Sequence, residues 1–262
     1  MTATPLQQVV HAYGVVSADF RGSLPSGLGD APVEVFSLAD LGVLVSRLDA
    51  ASFGEAVWQM HGTDPGWVER VAGQHHRVLQ AAVEQGDVLP LRLPGIYADT
   101  NAVGSVLAGQ LDVLRGAFAR VRGRVELGAK AFALAEPEQP EAGRPASGRD
   151  YLLGRAAAGA RREHARDRAN AAVVAAHERM AALAASAVTN PPQDAALSGR
   201  REPMLLNAAY LVPRASLDDV VELVETLGAD LAADGVALEV SGPWPPYNFV
   251  AEADITAAGA DL

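Results

Sequence analysis

The sequence contains no cysteine, which excludes a disulfide framework and a thiolate metal site. It also lacks an apolar run near the roughly 20 residues that cross a bilayer, so no membrane span is predicted. The N-terminus, MTATPLQQ, has neither the basic nor the apolar region of a signal peptide. Basic residues are outnumbered by acidic ones, and the net charge is −11. Non-specific nucleic-acid binding, which needs many Lys and Arg, is therefore not expected. These absences predict a cytoplasmic protein that does not bind nucleic acid.

Catalytic motifs are missing as well. No Gly-rich phosphate loop follows a predicted strand, and no Gly-x-Ser-x-Gly nucleophile elbow occurs. His75 and His76 are adjacent on a predicted helix, so their side chains point about 100° apart and cannot chelate one metal ion. We therefore predict no catalytic residues, no cofactor and no metal site, and we expect that the protein is not an enzyme.

The chain length and composition predict two α+β domains. The 262 residues are 49% apolar and 20% charged, which is ordinary for folded domains. We place an N-terminal α+β domain at residues 1–120, a second domain at 121–250, and an acidic tail at 251–262. In the first domain we expect an opening strand at 8–16, a hairpin at 33–46, a helix after Asp64-Pro65, a Pro-interrupted strand at 88–97 and one helix running from about residue 100 to 118.

The second domain is predicted to be ferredoxin-like. From about residue 121 the elements read strand, long helix, strand, helix, strand, which fits a ferredoxin-like domain or a version of it that lacks one strand. The first strand alternates, with Val125, Leu127 and Ala129 on the apolar face and Glu126 and Lys130 on the polar face. The long helix begins at Gly148, is free of proline, and is expected to continue to about Ser186.

Arginines cluster on that long helix. Residues 148–180 contain seven Arg against two Asp and two Glu, a net charge of +3 in a chain of −11. One explanation is an ordinary solvated helix face. The other is a basic surface that contacts an acidic partner or the chain's own acidic surface. The candidate partner-binding residues on this helix are Arg161, Arg162, Arg166 and Arg168.

Residues 241–250, SGPWPPYNFV, form a second unusual segment, which we call the strap. Three of the 16 prolines of the chain fall within four positions there, among aromatic residues that make up only 5% of the sequence. Proline fixes φ and pushes the preceding residue out of the helical region, so the strap is predicted to be extended and stiff. It either clamps its own fold or presents Trp244 and Tyr247 to a partner.

An ordered set of short motifs resembles the GvpF/GvpL family of gas vesicle proteins. In order these are YGVV at 13–16, His75-His76, VLPLR at 88–92, GRDYLL at 148–153, NAAYLV at 207–212 and GPWPPYNF at 242–249. The resemblance implies a non-enzymatic accessory protein of gas vesicle assembly that binds the small amphipathic shell protein GvpA and other Gvp proteins. It also implies an N-terminal α+β domain followed by a modified ferredoxin-like domain.

One departure from the family pattern concerns the subtype. After VLPLR the family usually continues with a Phe-Gly type turn, whereas this chain has LPGIY, so the sequence does not assign it to F or L. The alternative function is a small-ligand-sensing or regulatory binding module, by analogy with other ferredoxin-like domains. An enzyme is the third reading. From the resemblance we expect a cytoplasmic protein associated with the gas vesicle.

Overall fold

The computed structural model describes residues 7–134, 147–194 and 199–250. The predicted acidic tail at 251–262 lies outside the described residues. Packing divides the chain into one unit of residues 1–126 and 243–262 and a second unit of residues 127–242. The domain limits that the sequence suggested, at residues 120 and 250, stay a prediction.

The first unit contains an antiparallel sheet with β1 in its interior. The strand order is β2-β3-β1-β4, and β5 also pairs with β1. Every residue from Val9 to Val16 is buried, which explains why β1 is apolar without alternation. The predicted hairpin is confirmed by the pairing of Glu34 with Val45 and Leu38 with Leu41. The strands are β1 (Gln8–Ser17), β2 (Glu34–Leu38), β3 (Leu41–Asp49), β4 (Val88–Pro90) and β5 (Ile96–Tyr97).

The Pro-interrupted strand is in fact two strands, β4 and β5. Both pair with β1, β4 opposite Gly14 to Val16 and β5 opposite Val10 and His11. Residues 91–95 lie between the two strands and include Pro94, which has no backbone donor and whose peptide bond to Leu93 is cis. This segment 91–95 lies directly beside the buried histidines that are described below.

Helices cover both faces of this sheet. Val10, Ala12 and Val15 pack in one apolar cluster with residues of α4 and α5, whereas His11 contacts His75 of α3. Helix α3 begins as predicted, because the Asp64 side chain accepts from the backbone N–H of Gly66 at 3.0 Å. The single helix expected at 100–118 is two helices, separated at Gly109. The helices are α1 (Ala50–Phe53), α2 (Glu55–His61), α3 (Pro65–Gln85), α4 (Thr100–Ala108) and α5 (Leu111–Val121).

The second unit has the complete ferredoxin-like arrangement. Its elements are β6 (Arg124–Ala133), α6 (Gly148–Leu183), β7 (Ser186–Thr189), β8 (Met204–Pro213), α7 (Leu217–Ala233) and β9 (Val236–Trp244). The strand order β7-β8-β6-β9 together with the chain order βαββαβ is the ferredoxin-like arrangement. The sequence missed β7, because its four residues continue an Ala-rich run and only their antiparallel pairing with β8 defines them as a strand. The version lacking a strand is therefore not the one adopted.

Candidate partner-binding surface

The long helix α6 packs on its own sheet through only part of its length. Ala169, Val173, Ala176 and Met180 are buried and recur at spacings of four and three, so they form one stripe. They pack with residues of β8 and α7. Upstream of Ala165 nearly every described side chain is exposed, including Leu152 at 68% and Leu153 at 58%. The N-terminal half of α6 therefore presents side chains to solvent over about five turns.

The four predicted arginines lie where this stripe leaves the core, and all four are exposed. Arg162 and Arg166 precede Ala169 and Val173 at the same four-three-four spacing, so they continue the buried stripe. Arg168 lies on another face, where its Nε is 3.8 Å from Oδ1 of Asp234. Only Arg162 and Arg166 line the groove described next. Partner binding by the four residues stays a prediction.

An apolar groove lies against Arg162 and Arg166 within the second unit. Its volume is about 590 Å³. Helix α6 forms one wall, and the other walls come from the end of β6, the start of β8 and the end of α7. Leu134 in this lining keeps 43% of its surface exposed. The lining residues are Ala133, Leu134, Arg162, Ala165, Arg166, Ala169, Asn170, Pro203, Leu205, Ala232, Asp234 and Gly235.

The strap packs on helix α3 of the first unit. Pro245 and Pro246 are buried and Trp244 is half-buried, with its ring centroid 5.6 Å from that of His76. The Tyr247 hydroxyl lies 3.1 Å from Nδ1 of His76. Tyr247 nevertheless keeps 38% of its surface exposed. The geometry is that of a clamp on the protein's own fold, and contact of Trp244 and Tyr247 with a partner stays a prediction.

A buried carboxylate fixes the end of the strap. Glu126 accepts from the backbone N–H of Asn248 at 2.8 Å and from its side-chain Nδ2 at 2.6 Å. Burial raises the pKa of Glu126, although the two hydrogen bonds from Asn248 act in the opposite direction. Burial also raises the pKa of the Tyr247 phenol, and the charge of Glu126 adds to that effect. The alternation of β6 predicted Glu126 on the polar face of a half-buried strand, but that face is covered at this position, because Glu126 is only 5% exposed.

Sequence reasoning found the arginines of the groove and missed the rest of it. The four-three-four spacing of the sequence places Arg162 and Arg166 in line with the stripe that contains Val173. Leu134, Leu205 and Asp234 carried no such signal, because they lie at or next to the ends of three different elements that only the folded unit brings together.

Within residues 7–134, 147–194 and 199–250, no three His, Asp or Glu side chains are placed to hold a metal ion. No helix in the same ranges is both long and apolar enough to cross a membrane.

The chain matches the family described as gas vesicle synthesis protein GvpL/GvpF over residues 9–251. It belongs to the GvpL/GvpF family. It is 36% identical over 266 residues to gas vesicle protein L of Streptomyces sp. (strain CB03234), a match that covers 97% of each chain. Its identity to gas vesicle protein F of the same strain is 30%, over 92% of this chain and 98% of that one.

The crystal structure of GvpF from Anabaena sp. PCC7120 has the same fold. The TM-score is 0.66 at 17% identity, and the match covers 92% of this chain and 95% of that chain. GvpF from Microcystis aeruginosa gives a TM-score of 0.63, also at 17% identity, over 92% and 98% of the two chains. The GvpL/GvpF membership gives this chain a role in gas vesicle formation, and the family is not a known enzyme family.

Proposed function

We propose that this GvpL/GvpF protein acts in gas vesicle assembly by binding the shell protein GvpA, and that the groove beside α6 is the contact surface. The observation that supports this most is the combination of an apolar lining with Arg162 and Arg166 at the rim. An amphipathic shell subunit has an apolar face that must be kept from water before assembly. A groove of this kind shields such a face while the rim sets its orientation.

Charge favours an acidic segment of the shell protein as the occupant. Residues 148–180 have a net charge of +3, whereas the whole chain has −11, so the basic surface is local. Arg161, Arg162 and Arg166 are exposed on it. The ion pair of Arg168 with Asp234 is also largely exposed, so it contributes little to stability and leaves the guanidinium accessible. Complementary charges of this kind raise the association rate and fix the orientation of a partner.

A pull-down with purified shell protein tests this contact. Reversing Arg161, Arg162, Arg166 and Arg168 to Glu is expected to reduce the recovered shell protein at least tenfold, because four attractive charges become repulsive. Undiminished recovery of the shell protein would exclude helix α6 as the contact surface. The matched control reverses four exposed arginines of the first unit, Arg21, Arg47, Arg77 and Arg120, and is expected to retain binding.

The apolar part of the groove has its own test. Leu134→Asp places a charge in the exposed part of the lining without emptying the core. We expect lost shell-protein binding with an unchanged melting temperature. Leu152→Asp, on the exposed half of the same unit's long helix but outside the groove lining, is the control. Equal binding of the shell protein by both variants would show that the contact lies outside the groove.

The strap is the second proposed contact. A Trp244→Ala variant removes a half-buried ring from His76, so a loss of stability of about 1–3 kcal/mol is expected from packing alone. If the variant is folded by circular dichroism and binds shell protein as the parent does, the strap is a clamp and not a contact. A folded variant that no longer binds would place Trp244 at the interface.

A further inference from the structure

The first unit buries two histidines in direct contact. His11 on β1 is fully buried and His75 on α3 is 4% exposed. Nε2 of His11 lies 2.9 Å from Nδ1 of His75. The two outer nitrogens face carbonyl oxygens of the segment 91–95, with His11 Nδ1 2.9 Å from Pro94 O and His75 Nε2 3.1 Å from Leu91 O. The pair therefore joins a strand, a helix and the segment between β4 and β5.

These three contacts need three protons on the two rings. A carbonyl oxygen only accepts, so each outer nitrogen must carry a hydrogen. Two neutral imidazoles have one N–H each, and both are then used on Leu91 O and Pro94 O. The inner nitrogens would be left with two lone pairs facing each other at 2.9 Å. Turning one ring's hydrogen inward instead sets the lone pair of an outer nitrogen against a carbonyl oxygen, 2.9 Å away at Pro94 O or 3.1 Å away at Leu91 O, which is costly.

We propose that His11 and His75 form a binding site for one proton, which lies between Nε2 of His11 and Nδ1 of His75. With one added proton each contact has one donor and one acceptor. A second proton would set two N–H groups against each other. The 2.9 Å separation leaves no room for a metal ion between the two rings. The ligand is therefore a proton, and the site binds one proton.

The surroundings of the pair suit a single positive charge. The ring of Tyr13 lies 4.6 Å from that of His11, edge to face, and 5.5 Å from that of His75, nearly stacked. A cation over the face of an aromatic ring, within about 6 Å of its centroid, is attracted to it, and the stacked contact with His75 has this arrangement. The Tyr13 hydroxyl is engaged elsewhere, because it donates to Ser46 Oγ and accepts from Leu28 N.

Other charged groups do not favour a second proton. Burial lowers the pKa of His75 to about 4, the charge of His76 acts in the same direction, and the hydrogen bond to Leu91 O acts in the opposite one. Burial and then the charge of His75 lower the pKa of His11. Arg92, on the segment 91–95, is exposed, and Tyr97 of β5 packs in the cluster on the opposite face of the sheet. Among the described residues, no carboxylate shifts the pKa of either ring.

Proton binding would hold the segment 91–95 at both ends. That segment already accepts from Ala12 N through Gly95 O and donates from Leu91 N to Tyr13 O, each at 2.9 Å. Leu91 and Leu93 also line a cavity of about 460 Å³ under the strap, together with His76 and Tyr247. Neutral rings either leave one end of the segment without its donor or set two inner lone pairs against each other, so the wall of this cavity is predicted to be firmer in mild acid.

Nitrogen NMR of the full chain labelled with ¹⁵N-histidine tests the proposal. Between about pH 8 and about pH 4 the pair is expected to gain one proton, with a scalar coupling between His11 Nε2 and His75 Nδ1. His11 Nδ1 and His75 Nε2 must carry hydrogen in the acid form. Gain of two protons, gain of none, or unfolding before any uptake would each overturn the proposal.

His75→Gln provides a matched variant. The amide nitrogen has two N–H groups, so it can donate to both His11 Nε2 and Leu91 O without an added proton. His11 is expected to stay neutral through the same range in this variant. If His11 takes up a proton in His75→Gln as it does in the parent, proton sharing is refuted. His76→Gln, which changes the neighbouring half-buried ring, should leave the uptake of one proton intact.

Discussion

Buried polar side chains of the first unit satisfy one another at the scale of single residues. Tyr13 donates to Ser46 Oγ at 3.0 Å, and Ser46 donates in turn to Pro32 O at 2.9 Å. The Tyr13 hydroxyl also accepts from Leu28 N, and burial raises the pKa of its phenol. Gly27 makes this possible, because a Cβ at that position would stand 1.9 Å from the Tyr13 hydroxyl oxygen. The network thus depends on a residue that contributes no side chain.

The first prediction concerns Gly27. We expect Gly27→Ala to lower the free energy of unfolding by about 1–3 kcal/mol, because the added methyl group displaces the hydroxyl of Tyr13. Urea unfolding measures the change. Gly73→Ala is the control, since a Cβ there meets nothing within 4 Å and an alanine inside helix α3 is worth about 0.5–1 kcal/mol of stability. A destabilisation of the same size at both sites would contradict the steric argument.

The second prediction concerns the carboxylate under the strap. Asn248→Ala removes the donor that lies 2.6 Å from Glu126 Oε1, and we expect a loss of about 1–3 kcal/mol. Asn248→Asp replaces that donor with a second carboxylate and is expected to cost more. The two carboxylates repel only when both are ionised, so the excess cost should shrink on acidification. An Asn248→Asp variant as stable as Asn248→Ala at neutral pH would show that the side chains separate.

At the scale of elements, the two halves of helix α6 differ in how they pack. Its C-terminal half is held by the buried stripe from Ala169 to Met180, and its N-terminal half is exposed. Alanine and arginine favour a helix in both halves, so the sequence predicted one uninterrupted helix and the structure has it. Propensity does not tell which half packs, because packing requires a partner face on β8 and α7.

The third prediction contrasts these halves. Replacing Tyr151, Leu152 and Leu153 by polar residues should change the free energy of unfolding by less than about 0.5 kcal/mol, because all three are exposed. Val173→Ala, in the buried stripe, should cost about 1–3 kcal/mol through the cavity it leaves. Thermal or urea unfolding of the two variants gives the comparison. A large loss in the N-terminal triple variant would mean that this half of the helix packs in solution.

Other elements show where local pattern is sufficient. The cap at Asp64 and Pro65 and the hairpin of β2 and β3 were predictable, because each is set by neighbouring residues. The division of residues 88–97 into β4 and β5 was only partly predictable, since the prolines indicated an interruption but not that both pieces pair with β1. The groove beside α6 was not predictable as a whole, because its lining residues come from separate parts of the chain.

At the scale of the whole molecule, the buried histidines couple folding to pH. In the unfolded chain each titrates near its ordinary value of 6.5, whereas burial lowers the pKa of His75 to about 4 and that of His11 below 6.5 as well. The folded state therefore binds fewer protons than the unfolded state in this window. The stability contributed by the neutral rings is complete above 6.5 and is lost as the pH falls from there toward about 4.

The fourth prediction follows from this linkage. The free energy of unfolding should fall by about 1.4 kcal/mol per pH unit for each proton that only the unfolded chain binds. Uptake of one shared proton by the folded pair reduces the slope from two protons to one. Urea titrations at several pH values measure the slope, and His75→Gln is expected to show the same one-proton slope from this site, because its remaining His11 binds a proton only in the unfolded chain. A parent slope steeper than that of His75→Gln by about one proton throughout this range would mean that the folded pair takes up no shared proton.

The sequence by itself determined the family, the α+β class and the ferredoxin-like order of the second unit, because these follow from motif order, apolar periodicity and caps that act over a few residues. The same local patterns predicted a basic helix and a stiff strap. The tertiary structure alone decided that Glu126 is buried, that His11 meets His75, and that Leu134, Leu205 and Asp234 share a groove with two arginines. Such contacts join residues far apart in the chain, and their energies exist only once the sheets and helices have packed.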